Sequence, residues 1–149
     1  MGFFSALESS ASALTAQRLR MDTISENLAN VNTTRTEDGT PYRRKTVIFQ
    51  EQNSNAPFSS YLSRESSRYF TGSSGGVRVS QIVEDRTPFK SIYDPGHPDA
   101  DENGMVQMPN VDAVTEMVNM ISATRAYEAN VTAINATKSM ASKALEIGK

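Results

Sequence analysis

Apolar residues recur with helical spacing at both ends of the chain and fall into short alternating runs between them. Leu7, Leu14, Met21 and Leu28 come every seven residues, with Phe3, Ile24 and Val31 on the flank; Ser10 and Gln17 interrupt the stripe. At the other end Ala113, Met117, Met120, Thr124, Tyr127, Val131, Ile134, Lys138, Ala141 and Leu145 alternate spacings of four and three. Both patterns predict long amphipathic helices with a coiled-coil-like seam. Glycine and proline agree, because positions 3–38 and 110–147 contain neither, and both residues break helices.

Local signals place the helix ends. Ser5 and Glu8 form a capping box that predicts the first helix start. Asn30, Asn32, Thr33 and Thr34 compete for backbone hydrogen bonds and end it. Asn110, after Pro109, is the predicted N-cap of the second helix, Asp112 and Glu116 complement its dipole, and Gly148 suits its C′ position. At 1.5 Å per residue the helices would be about 40 Å and about 55 Å long. Alanines lie off the stripes, at 11, 13, 16, 123, 126, 129, 133 and 136, where they serve helix propensity or close approach of helices.

Between the helices, Tyr42–Gln50 and the alternating Val77, Val79 and Val83 read as strands, with Phe89–Tyr93 and Met105–Met108 as weaker ones. Asn53–Ser74 is serine-rich and reads as a loop. Its Phe58, Tyr61, Tyr69 and Phe70 argue against full disorder. The predicted fold is mainly α with a small β middle. Residues 1–34 and 110–149 supply a helical core domain, and 35–109 a β-hairpin and loop insertion. If the hairpins bring the ends of the insertion together, the two helices pair antiparallel.

Composition narrows the function. At 38% apolar residues, a chain of 149 has little material for a self-sufficient core, which points to stability gained from partners. A net charge of -2 without a charged block gives no field for nucleic acid or a membrane surface. There is no cysteine, hence no disulfide framework or thiolate site. No segment approaches the length of a membrane span, and the start lacks the basic and apolar regions of a cleavable signal.

Candidate chemistry is thin. His97, the one histidine, lies in the turn Asp94-Pro95-Gly96-His97-Pro98 without a nucleophile beside it. Asp99, Asp101, Asn103 and Gly104 match the start of a calcium-binding loop, but Asn110 stands where a bidentate glutamate is needed. An acidic turn is the better reading. Arg43-Arg44-Lys45 is too short for a nucleic-acid surface, and Gly72-Ser73-Ser74-Gly75-Gly76 lacks the ending of a phosphate loop. No catalytic residue, metal site or cofactor is assigned.

Two segments carry a resemblance. Ser25-Glu26-Asn27-Leu28-Ala29-Asn30-Val31-Asn32-Thr33-Thr34 and Ser122-Ala123-Thr124-Arg125-Ala126-Tyr127-Glu128-Ala129-Asn130 resemble the terminal signatures of axial proteins of the bacterial flagellum. Pro41–Lys45, Gly75–Val79, Tyr93-Asp94-Pro95 and Met108–Asp112 resemble the basal-body rod family in particular, of the short proximal type. The longer members have a Thr-x-Gly-Tyr/Phe step after the Asn-rich motif; here Arg35–Tyr42 forms a longer turn. The resemblance implies export through the flagellar type III apparatus and assembly with copies of itself and other rod and axial proteins into a hollow shaft. It implies no nucleic-acid partner and no membrane insertion. The positions expected to carry assembly are Leu7, Leu14, Met21, Ile24, Leu28, Val31, Met117, Met120, Tyr127, Val131, Ile134 and Leu145. Asn27, Leu28, Ala29, Asn30, Asn32, Thr33, Arg125, Tyr127 and Asn130 are the signature positions. The alternatives are a cytoplasmic helical adaptor or chaperone, and a calcium-responsive domain.

Overall fold

The computed structural model describes residues 3–52 and 75–147. Within them α1 (Phe3–Ala29) leads to β1 (Lys45–Glu51), β2 (Val77–Glu84), β3 (Lys90–Tyr93), β4 (Met105–Met108) and α2 (Ala113–Ile147). The protein is thus mainly helical with a small β middle. The loop expected over Asn53–Ser74, with its aromatics, and the Gly148 cap lie outside the described residues. At 27 and 35 residues the helices are about 40 Å and about 52 Å long.

Two contacts set the helix pair. Asn27 Nδ2 lies 3.0 Å from Glu116 Oε2, and Thr124 Oγ1 lies 3.7 Å from Met21 Sδ. Going back along α1 therefore means going forward along α2, so the helices are antiparallel. Continued down the pair, this register sets Leu7 level with Thr137.

The inward face of α2 differs from the predicted stripe. Ala113, Met120, Tyr127, Ile134 and Ala141 do turn inward, half-buried. Their heptad partners, however, are Glu116 and Ala123, both buried, and Asn130 and Thr137, half-buried. Met117 and Leu145, predicted on the seam, are 47% and 76% exposed, and Lys138 is exposed as well. The prediction followed apolar character, whereas the inward positions here hold a carboxylate, an amide, a hydroxyl and a methyl group. On α1, Leu7, Leu14, Met21 and Leu28 are half-buried and Ile24 buried, and Val31, just past its end, is half-buried.

Both helix starts also move. α1 begins at Phe3, so Ser5 lies inside it rather than capping it. The N-cap of α2 is Asp112, whose Oδ1 accepts from the N–H groups of Val114 at 2.9 Å and Thr115 at 3.3 Å. Asn110 is used elsewhere.

The first sheet pairs β1 with β2 antiparallel and packs on α1. Register shifts between Ile48 and Phe49, so Ile48 faces Gln81 while Phe49 faces Val79. Val77, Val79, Val47 and Phe49 lie half-buried on one side. Contact with α1 is close at Gly76: a Cβ there would fall 2.0 Å from Ser12 Oγ. The Ser12 hydroxyl accepts from Val77 N–H at 3.0 Å and donates to Ser9 C=O at 2.7 Å, stitching strand to helix.

The second sheet, β3 with β4, docks on the loop after α1 instead of on a helix. Thr34 Oγ1 donates to Asp99 Oδ2 at 2.8 Å, and Arg43 stacks 4.3 Å from the Phe89 ring centroid. Among the described residues, the buried apolar ones are Ala16, Ile24, Tyr42, Val106, Val111 and Ala123. Two of these are alanines. Full burial of a large apolar side chain contributes about 1.5–3 kcal/mol, so so short a roster makes a thin core.

Candidate assembly site: a buried polar junction

Among the described residues, two of the largest fully buried side chains are polar, Glu116 and Asn27. Asn27 on the last turn of α1 is 1% exposed and uses its whole hydrogen-bonding capacity. Its Nδ2 donates to Lys45 C=O at 2.8 Å and to Glu116 Oε2 at 3.0 Å. Its Oδ1 accepts from Lys45 N–H at 2.8 Å and Tyr42 O–H at 3.0 Å. Glu116, also 1% exposed, receives Arg44 through Nε at 2.9 Å and Nη2 at 2.8 Å, both on Oε1.

A second amide extends the junction. Asn110 Oδ1 accepts Arg44 N–H at 2.8 Å, while its Nδ2 donates to Asp85 C=O at 3.0 Å and Thr87 Oγ1 at 2.8 Å. Arg44 C=O accepts Asp85 N–H at 2.7 Å, and Arg44 Nη1 sits 3.5 Å from Asp85 Oδ2. The end of α1, the entry to β1, the exit of β2 and the start of α2 are thereby tied together. Pairing makes these burials tolerable: an unpaired buried polar group costs about 1–3 kcal/mol, an unpaired charge more.

Burial pushes the Tyr42 hydroxyl up from 10.0 to about 12, and the carboxylates of Glu26, Glu116 and Glu84 add to the effect. In the fold the neutral phenol is favoured. Between pH 10 and 12 the unfolded chain therefore loses this proton while the folded chain keeps it. Stability should be full below pH 10 and fall through that window by roughly 2 kcal/mol. Urea unfolding at stepped pH checks this, and Tyr42→Phe should flatten that part of the profile. A hydrogen bond from Thr87 N–H, aided by the Thr87 hydroxyl and Arg44, holds the Asp85 carboxyl below its usual range. Its contribution is present at neutral pH and lost as acid protonates it.

The basic run of the sequence is divided among three partners: Arg43 to Phe89, Arg44 to Glu116, and Lys45 to Glu26. In the acidic turn, Asp99 takes the Thr34 hydroxyl and lies 3.9 Å from Arg35, while its N–H donates to His97 Nδ1 at 3.1 Å. Among the described residues no group of three or more His, Cys, Asp or Glu side chains is placed to hold a metal.

Signature residues divide between the junction and local bracing. Asn30 Nδ2 bonds Glu26 C=O at 2.9 Å and its Oδ1 accepts Thr33 Oγ1 at 3.1 Å, closing the end of α1 beside exposed Ala29 and Asn32. Thr33 C=O accepts Tyr42 N–H at 3.1 Å, aiming the tyrosine back at Asn27. Arg125 is exposed, and Asn130 Nδ2 bonds Ala126 C=O of its own helix at 2.8 Å. Sequence reasoning missed the roles of Tyr42, Arg44, Asn110 and Glu116. Two signals were available: the resemblance motifs Pro41–Lys45 and Met108–Asp112 contain Tyr42, Arg44 and Asn110, and Glu116 stands at a heptad position beside the predicted stripe.

The ends that meet here are the parts matched by known families. Residues 7–35 match the family "Flagella basal body rod protein" and residues 102–147 match "Flagellar basal body rod FlgEFG protein C-terminal". The flagellar basal-body rod protein FlgC of Bacillus subtilis is 54% identical, with all of both chains covered. FlgC of Borreliella burgdorferi is 50% identical, covering 99% of this chain and 98% of its own. FlgC of Escherichia coli O6:H1 is 42% identical, with both chains covered in full. This chain belongs to the FlgC family of flagellar basal-body rod proteins. It is a structural rod subunit, and the adaptor and calcium-responsive alternatives are not favoured. In FlgC terms, the junction joins the two terminal signatures inside one subunit: Asn27 of the first bonds Glu116, which leads into the second.

Proposed function

We propose that the subunit is exported through the flagellar export apparatus and packs with copies of itself and other rod proteins in the proximal rod, outside the cytoplasmic membrane. Its task there is structural rather than catalytic, as one wall element of a hollow shaft that carries torque. The two helices would form the core domain of the subunit and residues 35–109 its insertion. The observation that carries this reading is the outer face of α2. Val114, Met117, Val118 and Ile121 are all exposed in the single chain and lie within about two turns of one another. A row of large apolar side chains on the face away from α1 fits burial by a neighbouring subunit. Further along, Met140 and Leu145 are exposed too. Of the predicted assembly residues, Met117 and Leu145 would thus meet neighbours, while Leu14, Met21, Ile24, Leu28, Met120, Tyr127, Val131 and Ile134 would hold the subunit's own pair. No helix among the described residues is long and apolar enough to cross a membrane.

Val118→Glu combined with Ile121→Glu tests this. Both sites are solvent-facing in the free chain, so folding should change by less than about 0.5 kcal/mol. In a strain lacking the native subunit, the variant should be exported yet absent from isolated basal bodies, and swimming should be lost. Normal incorporation would overturn the assignment of this face.

A further inference from the structure

We infer that the junction of Asn27, Arg44, Asn110 and Glu116 is what fixes the register of α1 against α2, the rest of the seam being indifferent to it. Four polar side chains along the seam are satisfied within their own helices, and the buried Gln17 Oε1 bonds neither helix. Thr124 Oγ1 bonds Met120 C=O at 2.9 Å, Asn130 Nδ2 bonds Ala126 C=O at 2.8 Å, and Thr137 Oγ1 bonds Ala133 C=O at 2.8 Å. On α1, Thr23 Oγ1 bonds Leu19 C=O at 2.9 Å. Sliding the helices past each other breaks none of these bonds. The small Ala16 and Ala123 offer no shape that only one neighbour fits. The 3.7 Å contact of Thr124 with Met21 sulfur is weak.

The junction behaves oppositely. Three of the four bonds of Asn27 go to Tyr42 and Lys45, which hold the amide in a fixed pose. Its remaining N–H reaches α2 only where Glu116 stands. Arg44 occupies the other oxygen of that carboxylate, and Asn110 bonds the backbone of the same Arg44. A slip of one heptad would face the Asn27 amide with Ala123 and strand a buried carboxylate. A single polar layer can specify register in a helix pair at a cost in stability, because every other alignment leaves it unpaired.

The absence of cysteine in the native chain gives a clean test on purified protein, independent of the rod reading. Met21→Cys with Thr124→Cys reports the observed register. Met21→Cys with Val131→Cys or with Met117→Cys reports a slip of one heptad either way. With the junction intact, only the first pair should oxidise. In Glu116→Leu with Asn110→Ala, helix content should persist while a slipped pair reaches at least about a third of the yield of the first. Glu116→Gln, which keeps an acceptor for Asn27, should restore the single register. Crosslinking confined to 21 and 124 in the leucine variant would overturn the inference. So would loss of helix content and of all crosslinks, since the junction would then hold the fold rather than choose among registers.

Discussion

Replacing Arg44 by methionine is expected to destabilise the subunit by about 3–5 kcal/mol. Methionine keeps the unbranched stem and most of the packing but removes the guanidinium. Two N–H groups then vanish from Glu116 Oε1, and the carboxylate, 1% exposed, keeps only the Asn27 amide and a long 3.3 Å contact from Asn119. Glu116→Gln alone should cost less, because an amide oxygen still accepts from Asn27 and no charge is left buried. Combining the two should recover a large part of the Arg44→Met loss, giving a coupling of about 1–3 kcal/mol. Urea unfolding of the four proteins measures the cycle. Additive losses would mean that the guanidinium acts through Asp85 and Thr46, which it also reaches, rather than through Glu116.

The legible part of the fold was the part written in backbone chemistry. Glycine and proline placed both helices, and alternation after Gly75 and Gly76 placed β2. The inward face of α2 was half legible. Met120, Tyr127 and Ile134 are large and recur every seven residues, so one heptad position stood out. Its partner position reads Glu116, Ala123, Asn130, Thr137, which no hydrophobic pattern can find. One step along, Thr124 and Val131 are half-buried as predicted, whereas Met117 turns to solvent and Leu145 lies past the start of α1 in this register. That error has a physical origin. A subunit that is buried on two sides only after assembly carries apolar residues on both, and a single-chain reading merges them into one stripe.

The junction was hidden for a related reason. Asn27 was recognised by resemblance, but neither its partners nor its use of four hydrogen bonds follows from spacing. Glu116 and Arg44 are 72 positions apart. Near a helix start, a glutamate is expected to favour the dipole, and that ordinary role masked the buried ion pair. Asn110 was misplaced by the same logic. It and Asp112 are both good N-caps, and the one whose side chain was needed to hold Arg44 was not free to cap.

Tyr127→Asp should cost about 2–4 kcal/mol and keep the subunit out of the rod. Tyr127 is half-buried on the face of α2 that turns toward α1, one turn beyond the Thr124 contact with Met21. Following the antiparallel register back one turn along α1 brings it level with Gln17. The Gln17 Oε1 atom is itself buried and has no hydrogen-bond partner. An aspartate here would remove the ring that fills the seam and set a carboxylate near an acceptor already lacking a donor. The polar neighbours along α2, Asn130 and Thr137, are bonded within their own helix, so no donor nearby offsets the loss. The junction end should stay closed through Asn27 and Glu116, while the pair beyond Thr124 opens. Amide exchange would then rise over roughly 3–17 and 127–147 and stay low at 23–28 and 113–120. Tyr127→Phe, which keeps the ring, should change exchange little and assemble. If the subunit is exported as proposed, export should survive in both variants. An aspartate variant that reaches isolated basal bodies at the native amount would show that the seam beyond Thr124 is held by neighbouring subunits rather than by the chain's own helices.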